Sequence, residues 1–171
     1  MINFLTGLQT RQEDQPFDSL IVCGPELAPS QRAQVERRAA DCAHVRVAQF
    51  VEDMRGYMDC ADVVVAMGGY NTFCEILSFD KPALLVPRKH PRREQLVRAQ
   101  RAAELGVVDV IDSDAAGDPT LMARAIRVLL ERPRPSEGVT PLDLDGLERI
   151  GGTVERFVSE LGIGQPVLEP A

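Results

Sequence analysis

Several kinds of chemistry are excluded by what the chain does not contain. It has no G-x-x-x-x-G-K-[ST] phosphate loop, no G-x-S-x-G nucleophile elbow and no H-E-x-x-H metal motif, so P-loop, serine-hydrolase and zincin readings have nothing to stand on. Of its two histidines, His44 opens an apolar run and reads as structural, and neither His44 nor His90 has a nucleophile partner in the sequence. Positive charge is in deficit, with 19 Lys and Arg against 26 Asp and Glu for a net charge of −7. General attraction to nucleic acid or to an anionic membrane is therefore excluded, and any anion must be held by a local site. The four cysteines, Cys23, Cys42, Cys60 and Cys74, form no C-x-x-C pair, and three lie in apolar stretches, which is the pattern of reduced thiols packed as small hydrophobes. No window approaches the 18 apolar residues of a membrane span, and the N-terminus lacks the basic and apolar regions of a secretion signal, so a cytoplasmic location is expected.

What is present is a globular mixture of 44% hydrophobic and 26% charged residues over 171 positions, enough for one domain with its own core. Five short apolar runs recur, at 19–24, 45–50, 62–67, 82–87 and 107–112, each bounded by Gly, Pro or charge. Helical patterns separate them at 30–42, 51–61, 71–79 and 93–105, and another follows at 119–132. Continuous apolar strands alternating with helices predict a Rossmann-like, doubly wound parallel sheet of at least five strands, covered by helices on both faces. Three prolines and a glycine then break the pattern. The organisation expected is a domain over 1–132, a linker over 133–143, a final helix over 144–162 interrupted at Gly151-Gly152 and packed on the domain, and a frayed tail over 163–171. The start reads as a helix entering the run at 19–24, where such domains open with a strand, so a first strand is expected to be missing.

The sharpest local signal is DVVVAMGGYNTFCE at 62–75, an apolar strand that ends in Gly68-Gly69 with a helix beginning about two residues later. Glycines allow close approach of a ligand, and the free N–H groups of the next helix face it with the positive end of the helix dipole, which suits a diphosphate. Asn71 and Thr72 can cap that helix or donate to a ligand, and Glu75, three residues past Thr72, can accept from two ribose hydroxyls. The alternative is a plain tight turn with Thr72 as cap and Glu75 as the far half of a capping box. The second signal is PRKHPRREQ at 87–95, which concentrates Arg88, Lys89, His90, Arg92 and Arg93 in an acidic chain. Ligands of doubly wound sheets bind outside the carboxyl ends of the strands, where both signals fall. A receiver-like signalling domain would carry an aspartate at the end of an early strand, whereas the first run here ends in Cys-Gly-Pro.

From Phe50 to Val108 the chain resembles the C-terminal domain of glycosyltransferase family 28, the donor-binding half of a two-domain GT-B enzyme. The resemblance implies transfer of a hexosyl group from a nucleoside-diphosphate sugar, UDP-linked by expectation, to an acceptor hydroxyl, with inversion and no essential metal or other cofactor. By position it assigns Phe50 and Val51 to the turn whose backbone reads the base, Gly68, Gly69 and Thr72 to the turn facing the donor, and Glu75 to the ribose. His90 matches a histidine of the same loop, and Glu94 and Gln95 match two glutamines that hold the sugar; Arg88 and Arg93 are the candidate cations for the leaving diphosphate. Glu94 departs from that pattern, and an ionised carboxylate only accepts hydrogen bonds, which puts the sugar in question. The sequence also lacks that family's glycine-rich turn after a first strand and its N-terminal acceptor-binding domain. The acceptor half and the general base are thus expected from a separate segment or subunit, through which any peripheral membrane contact would come. The alternatives are a non-catalytic nucleotide-sugar-binding subunit and a nucleotide-sugar 2-epimerase-like enzyme.

Overall fold

A computed structural model describes residues 18–42, 44–138 and 145–162. The chain divides into two units, Met1–Val139 and Thr140–Ala171, a boundary that falls inside the stretch expected as linker. The first unit alternates strand and helix in the predicted order: β1 Ser19–Val22, α1 Pro29–Ala39, β2 Val45–Ala48, α2 Met54–Cys60, β3 Val64–Ala66, α3 Tyr70–Ser78, β4 Ala83–Leu85, α4 Glu94–Glu104, β5 Asp109–Val110 and α5 Pro119–Leu130. A four-residue helix, α6 (Pro135–Gly138), follows within the Pro-rich stretch. The opening residues read as a helix, and the tail from 163 onward, lie outside the described residues.

All five strands are present and every pairing is parallel, but the ladder is in two pieces, β1-β2 and β3-β4-β5. This is the arrangement left when the central first strand is taken out of the doubly wound order 3-2-1-4-5-6, leaving 3-2 and 4-5-6. Residues 1–17, where the sequence reading expects a first strand to be missing, lie outside the described residues. Leu20 of β1 and Val65 of β3, both in predicted buried strands, are 39% and 42% exposed, and among the described residues each of these strands pairs on one side only.

Packing follows the same division. Ile21, Val35, Ala39, Cys42 and Val45 form one core between β1-β2 and α1. Leu84, Met122, Ile126 and Leu129 form another between β4 and α5, with Val63, Val86 and Ile111 against it. The middle strand β4 is the most deeply set, with Ala83, Leu84 and Leu85 all at 2% exposure or less. Each such leucine contributes about 2 kcal/mol from burial. The chain enters β4 through Lys81, which is buried and donates its ammonium to the Asp59 carbonyl at 2.6 Å. Asp80 just before it has φ 51 and accepts from the Ser136 backbone N–H at 2.9 Å and its hydroxyl at 2.5 Å. Those bonds tie α6 to the turn that enters β4.

The four cysteines are all free, and burial pushes the Cys23 thiol up from its usual value, away from the reactive thiolate. In the second unit α7 spans Gly146–Glu160 and runs unbroken through Gly151-Gly152, correcting the expected interruption. A helical glycine costs only about 1 kcal/mol, and the Thr153 hydroxyl donates to the Arg149 carbonyl at 2.8 Å across the pair.

Candidate functional site

Three strand exits lie at one edge of the β3-β4-β5 ladder. β3 leaves through Met67 into Gly68, β4 through Pro87 into Arg88, and β5 through Ile111 into Asp112, and parallel pairing brings these ends together.

At the first exit Gly68 is buried with φ +74, a left-handed conformation that a side chain disfavours. A Cβ there would meet Leu85 Cδ1 at 3.2 Å. Gly69 returns to φ −55 and is the N-cap of α3, with no side chain accepting from the first turn. The contrast with α2 and α5 is chemical. Asp53 accepts from the Gly56 N–H at 2.8 Å, and Asp118 from the Thr120 and Leu121 N–H groups at 2.8 and 3.3 Å. In α3 the first helical bond runs from the Phe73 N–H to the Gly69 carbonyl at 2.8 Å. The N–H groups of Tyr70, Asn71 and Thr72 thus stand ahead of the helix with no side-chain acceptor among the described residues. Such a terminus attracts an anion.

The capping-box alternative fails on this register. With Gly69 as cap, Thr72 occupies the third helical position and Glu75 lies a turn beyond any box partner. Glu75 is half-buried, and its carboxylate makes no hydrogen bond or ion pair with the described residues. Thr72, also half-buried, precedes it by one turn on the same face.

The basic loop is held from two sides. Lys89 Nζ reaches Asp112 Oδ1 at 2.8 Å and Asp114 Oδ2 at 2.6 Å, joining the exits of β4 and β5. The hydrogen bonds that Lys89 donates to Asp112 and then to Asp114 raise its ammonium above its usual value. The Lys89 bond, followed by the Asp114 backbone N–H, lowers Asp112 below the usual carboxylate range. On the other side Gln95 is buried, and its Oε1 accepts from the Arg88 N–H at a long 3.4 Å. Arg88, His90, Arg92 and Arg93 are exposed, and none forms an ion pair with the described residues. Glu94 is exposed at the start of α4, where the helix dipole favours a carboxylate.

The remaining predicted positions follow β2. Phe50 is 68% exposed and Val51 half-buried, in the turn leading to α2. That helix packs beside α3, with the Arg55 guanidinium 5.9 Å from the Phe79 ring centroid.

Two features escaped the sequence reading. The Lys89 clamp uses carboxylates 23 and 25 residues away, although a D-x-D directly after the fifth strand was the available signal. Arg98 of α4 donates from Nη1 to the Gly68 carbonyl at 3.0 Å and lies 5.4 and 5.9 Å from the Tyr70 and Phe73 ring centroids. Its position three residues past Gln95, on one helix face, was the only hint. Among the described residues no group of three or more His, Cys, Asp or Glu is placed to hold a metal ion, and no helix is long and apolar enough to cross a membrane.

Residues 2–137 match the family model described as the glycosyltransferase family 28 C-terminal domain. The chain belongs to that family. It is 28% identical over 162 residues to an uncharacterized glycosyltransferase of Methanosarcina acetivorans, covering 92% of this chain and 40% of that protein. It is 28% identical over 89 residues to the UDP-N-acetylglucosamine--N-acetylmuramyl-(pentapeptide) pyrophosphoryl-undecaprenol N-acetylglucosamine transferase of Glaesserella parasuis, covering 52% of this chain and 25% of that one. The chain therefore spans between a quarter and two-fifths of the length of these relatives. In structure it is similar to MurG of Acinetobacter baumannii, with TM-score 0.67 and 17% identity over 91% of this chain and 45% of that one. It is also similar to CalG4, the calicheamicin glycosyltransferase, with TM-score 0.68 and 20% identity over 94% of this chain and 38% of that one. A UDP-N-acetylglucosamine 2-epimerase shares the fold too, with TM-score 0.65 and 16% identity over 100% of this chain and 44% of that one. At these identities the structural likenesses establish the Rossmann-like fold that glycosyltransferases and the epimerase have in common.

Proposed function

We propose that the chain is the donor-binding half of a glycosyltransferase, holding a nucleoside-diphosphate sugar, UDP-linked, at the carboxyl edge of β2, β3 and β4 for inverting transfer of a hexosyl group to an acceptor hydroxyl. The observation that carries this reading is the bare N-terminus of α3 behind Gly68-Gly69, with unpaired cations on the neighbouring loop and a carboxylate, Glu75, that has no internal partner.

The chemistry follows from those groups. Charge develops on the diphosphate as the sugar departs, and fixed N–H dipoles with cations stabilise it without reorganising. The Tyr70–Thr72 N–H groups, Arg88 and Arg93 supply that field. Glu75 accepts from the ribose hydroxyls, Phe50 and Val51 meet the base, and His90, Glu94 and Gln95 line the sugar side. Gln95 already spends its Oε1 on the loop backbone, so its NH2 is what it offers a ligand. No residue of the chain is assigned as the general base, which the acceptor half supplies. That half is a separate segment or subunit, and the complex works at the cytoplasmic face without a metal.

Isothermal calorimetry against UDP, GDP, dTDP and ADP tests the reading. Selective binding of one diphosphate, weakened at least tenfold by Glu75→Ala, is expected; failure to bind any of the four rejects it. A product assay with the acceptor half restored separates transfer from 2-epimerisation.

A further inference from the structure

Arg98 sits behind the glycine turn, on the helix that follows the basic loop rather than in the turn or the loop. Its guanidinium Nη1 donates to the Gly68 carbonyl at 3.0 Å, bridging 30 residues of sequence, and its Cζ lies 5.4 Å from the Tyr70 ring centroid and 5.9 Å from that of Phe73. We infer that Arg98 is the positioning residue of the phosphate-facing turn, fixing the Gly68-Gly69 peptide so that its N–H is presented to the diphosphate.

The argument is geometric. A trans peptide is planar, so its carbonyl and N–H point in opposite directions. Pinning the Gly68 carbonyl to Arg98 therefore fixes the direction of the Gly69 N–H, which bonds to no other described group. Glycine leaves this peptide unusually free to rotate, and the left-handed Gly68 at φ +74 has no side chain of its own to hold it. An external donor is what selects one orientation. Arg98 is in turn held by the Tyr70 and Phe73 rings, both of α3, so the helix and the turn ahead of it are fixed by one side chain. The guanidinium suits this role better than an ammonium would, because its planar fork can bond the carbonyl while its faces meet the rings. It also adds a fixed positive charge beside the helix N-terminus.

The ligand class rests on the donor-site reading above, namely the diphosphate of a nucleotide sugar. Three chains, wild type, Arg98→Met and Arg98→Lys, are compared in two measurements. In calorimetry with UDP, GDP, dTDP and ADP and the matching nucleosides, Arg98→Met is expected to weaken the diphosphate that binds by tenfold or more and to leave its nucleoside within twofold. Arg98→Lys, which keeps the charge without the fork, recovers part of that loss. In amide hydrogen exchange, the Phe73 N–H, which bonds the Gly69 carbonyl at 2.8 Å, is expected to exchange at least tenfold faster in Arg98→Met, with protection of β4 unchanged. Diphosphate affinity within twofold of wild type in Arg98→Met overturns the inference, as does unchanged exchange at Phe73. A wild-type chain that binds none of the four removes the donor reading instead, and the exchange result then decides the role of Arg98 in the turn by itself. Should Arg98→Met fail to fold, the same two criteria apply to Arg98→Lys.

Discussion

Replacing either glycine of the turn by alanine separates backbone geometry from ligand approach. At Gly68, φ +74 costs an L-residue ~1–2 kcal/mol relative to glycine. The new methyl would also stand 3.2 Å from Leu85 Cδ1, and Leu85 is 0% exposed, so it has little room to turn aside. Crowding of this kind adds about 1 kcal/mol. Stiffening the unfolded chain returns about half a kcal/mol, leaving a net loss of about 2 kcal/mol. For a unit of this size that is a fall of about 8 °C in Tm. At Gly69 the backbone is ordinary, at φ −55 and ψ 153, and a Cβ meets nothing within 4 Å. There the weaker helix-capping of alanine and the unfolded-state gain nearly cancel, and stability stays within about 1 kcal/mol of wild type. Diphosphate affinity nevertheless falls at least tenfold in Gly69→Ala if the ligand sits against the turn. Thermal unfolding followed by circular dichroism, paired with calorimetry, reads both effects. A Gly68→Ala chain melting within 2 °C of wild type, or a Gly69→Ala chain melting as low as Gly68→Ala, refutes the turn geometry.

Other perturbations follow from the same structure. Glu75→Gln should leave Tm unchanged, since the carboxylate has no internal partner, while lowering diphosphate affinity; a fall in Tm above 3 °C would show a structural role. Asp80→Ala should destabilise by about 2 kcal/mol, through loss of both Ser136 bonds and a left-handed alanine, and Asp80→Gly by about 1 kcal/mol less, read by urea unfolding. The Lys89 clamp has a defined pH window. Asp112 is lowered, so its contribution is present above the unfolded carboxylate value near ~4 and is lost as pH falls through the lower folded value. Lys89 is raised, so its contribution is complete below the unfolded value near ~10.4 and is lost as pH rises through the higher folded one. The Lys89 side-chain nitrogen resonance should therefore be constant from about pH 5 to 9, and its movement within that range would contradict the clamp. Asp112→Asn with Asp114→Asn should speed tryptic cleavage of the loop at Arg92 and Arg93 severalfold, and equal rates would count against the brace.

Much of this arrangement was legible because it is local. Apolar runs of β-branched residues and the helical spacing between them place all five strands and α1 to α5, and the strand-Gly-Gly-helix pattern at 62–75 marks the bare N-terminus of α3, where the donor is proposed to bind. What sequence could not supply came from contacts far apart in the chain. Arg98 reads as one more polar residue of an amphipathic helix until the fold brings it to Gly68, and Lys89 reads as a free cation until β5 delivers Asp112 beside it. The exposure of Leu20 and Val65 was equally invisible, since an apolar strand residue looks the same whether or not a neighbouring strand covers it. Gly151-Gly152 misled for the opposite reason, because a modest propensity penalty was read as a break that the helix simply absorbs.

The central claim, that a nucleoside diphosphate sits at the carboxyl edge of β2 to β4, is tested most directly by titrating the 15N-labelled chain with UDP, GDP, dTDP and ADP and mapping amide shifts. The account predicts saturable shifts with one of them at Phe50–Val51, Gly68–Glu75 and Arg88–Gln95. Shifts confined to the opposite end of the sheet, in the groove lined by Asp59, Lys81 and Arg134, or no shifts with any of the four, would contradict it.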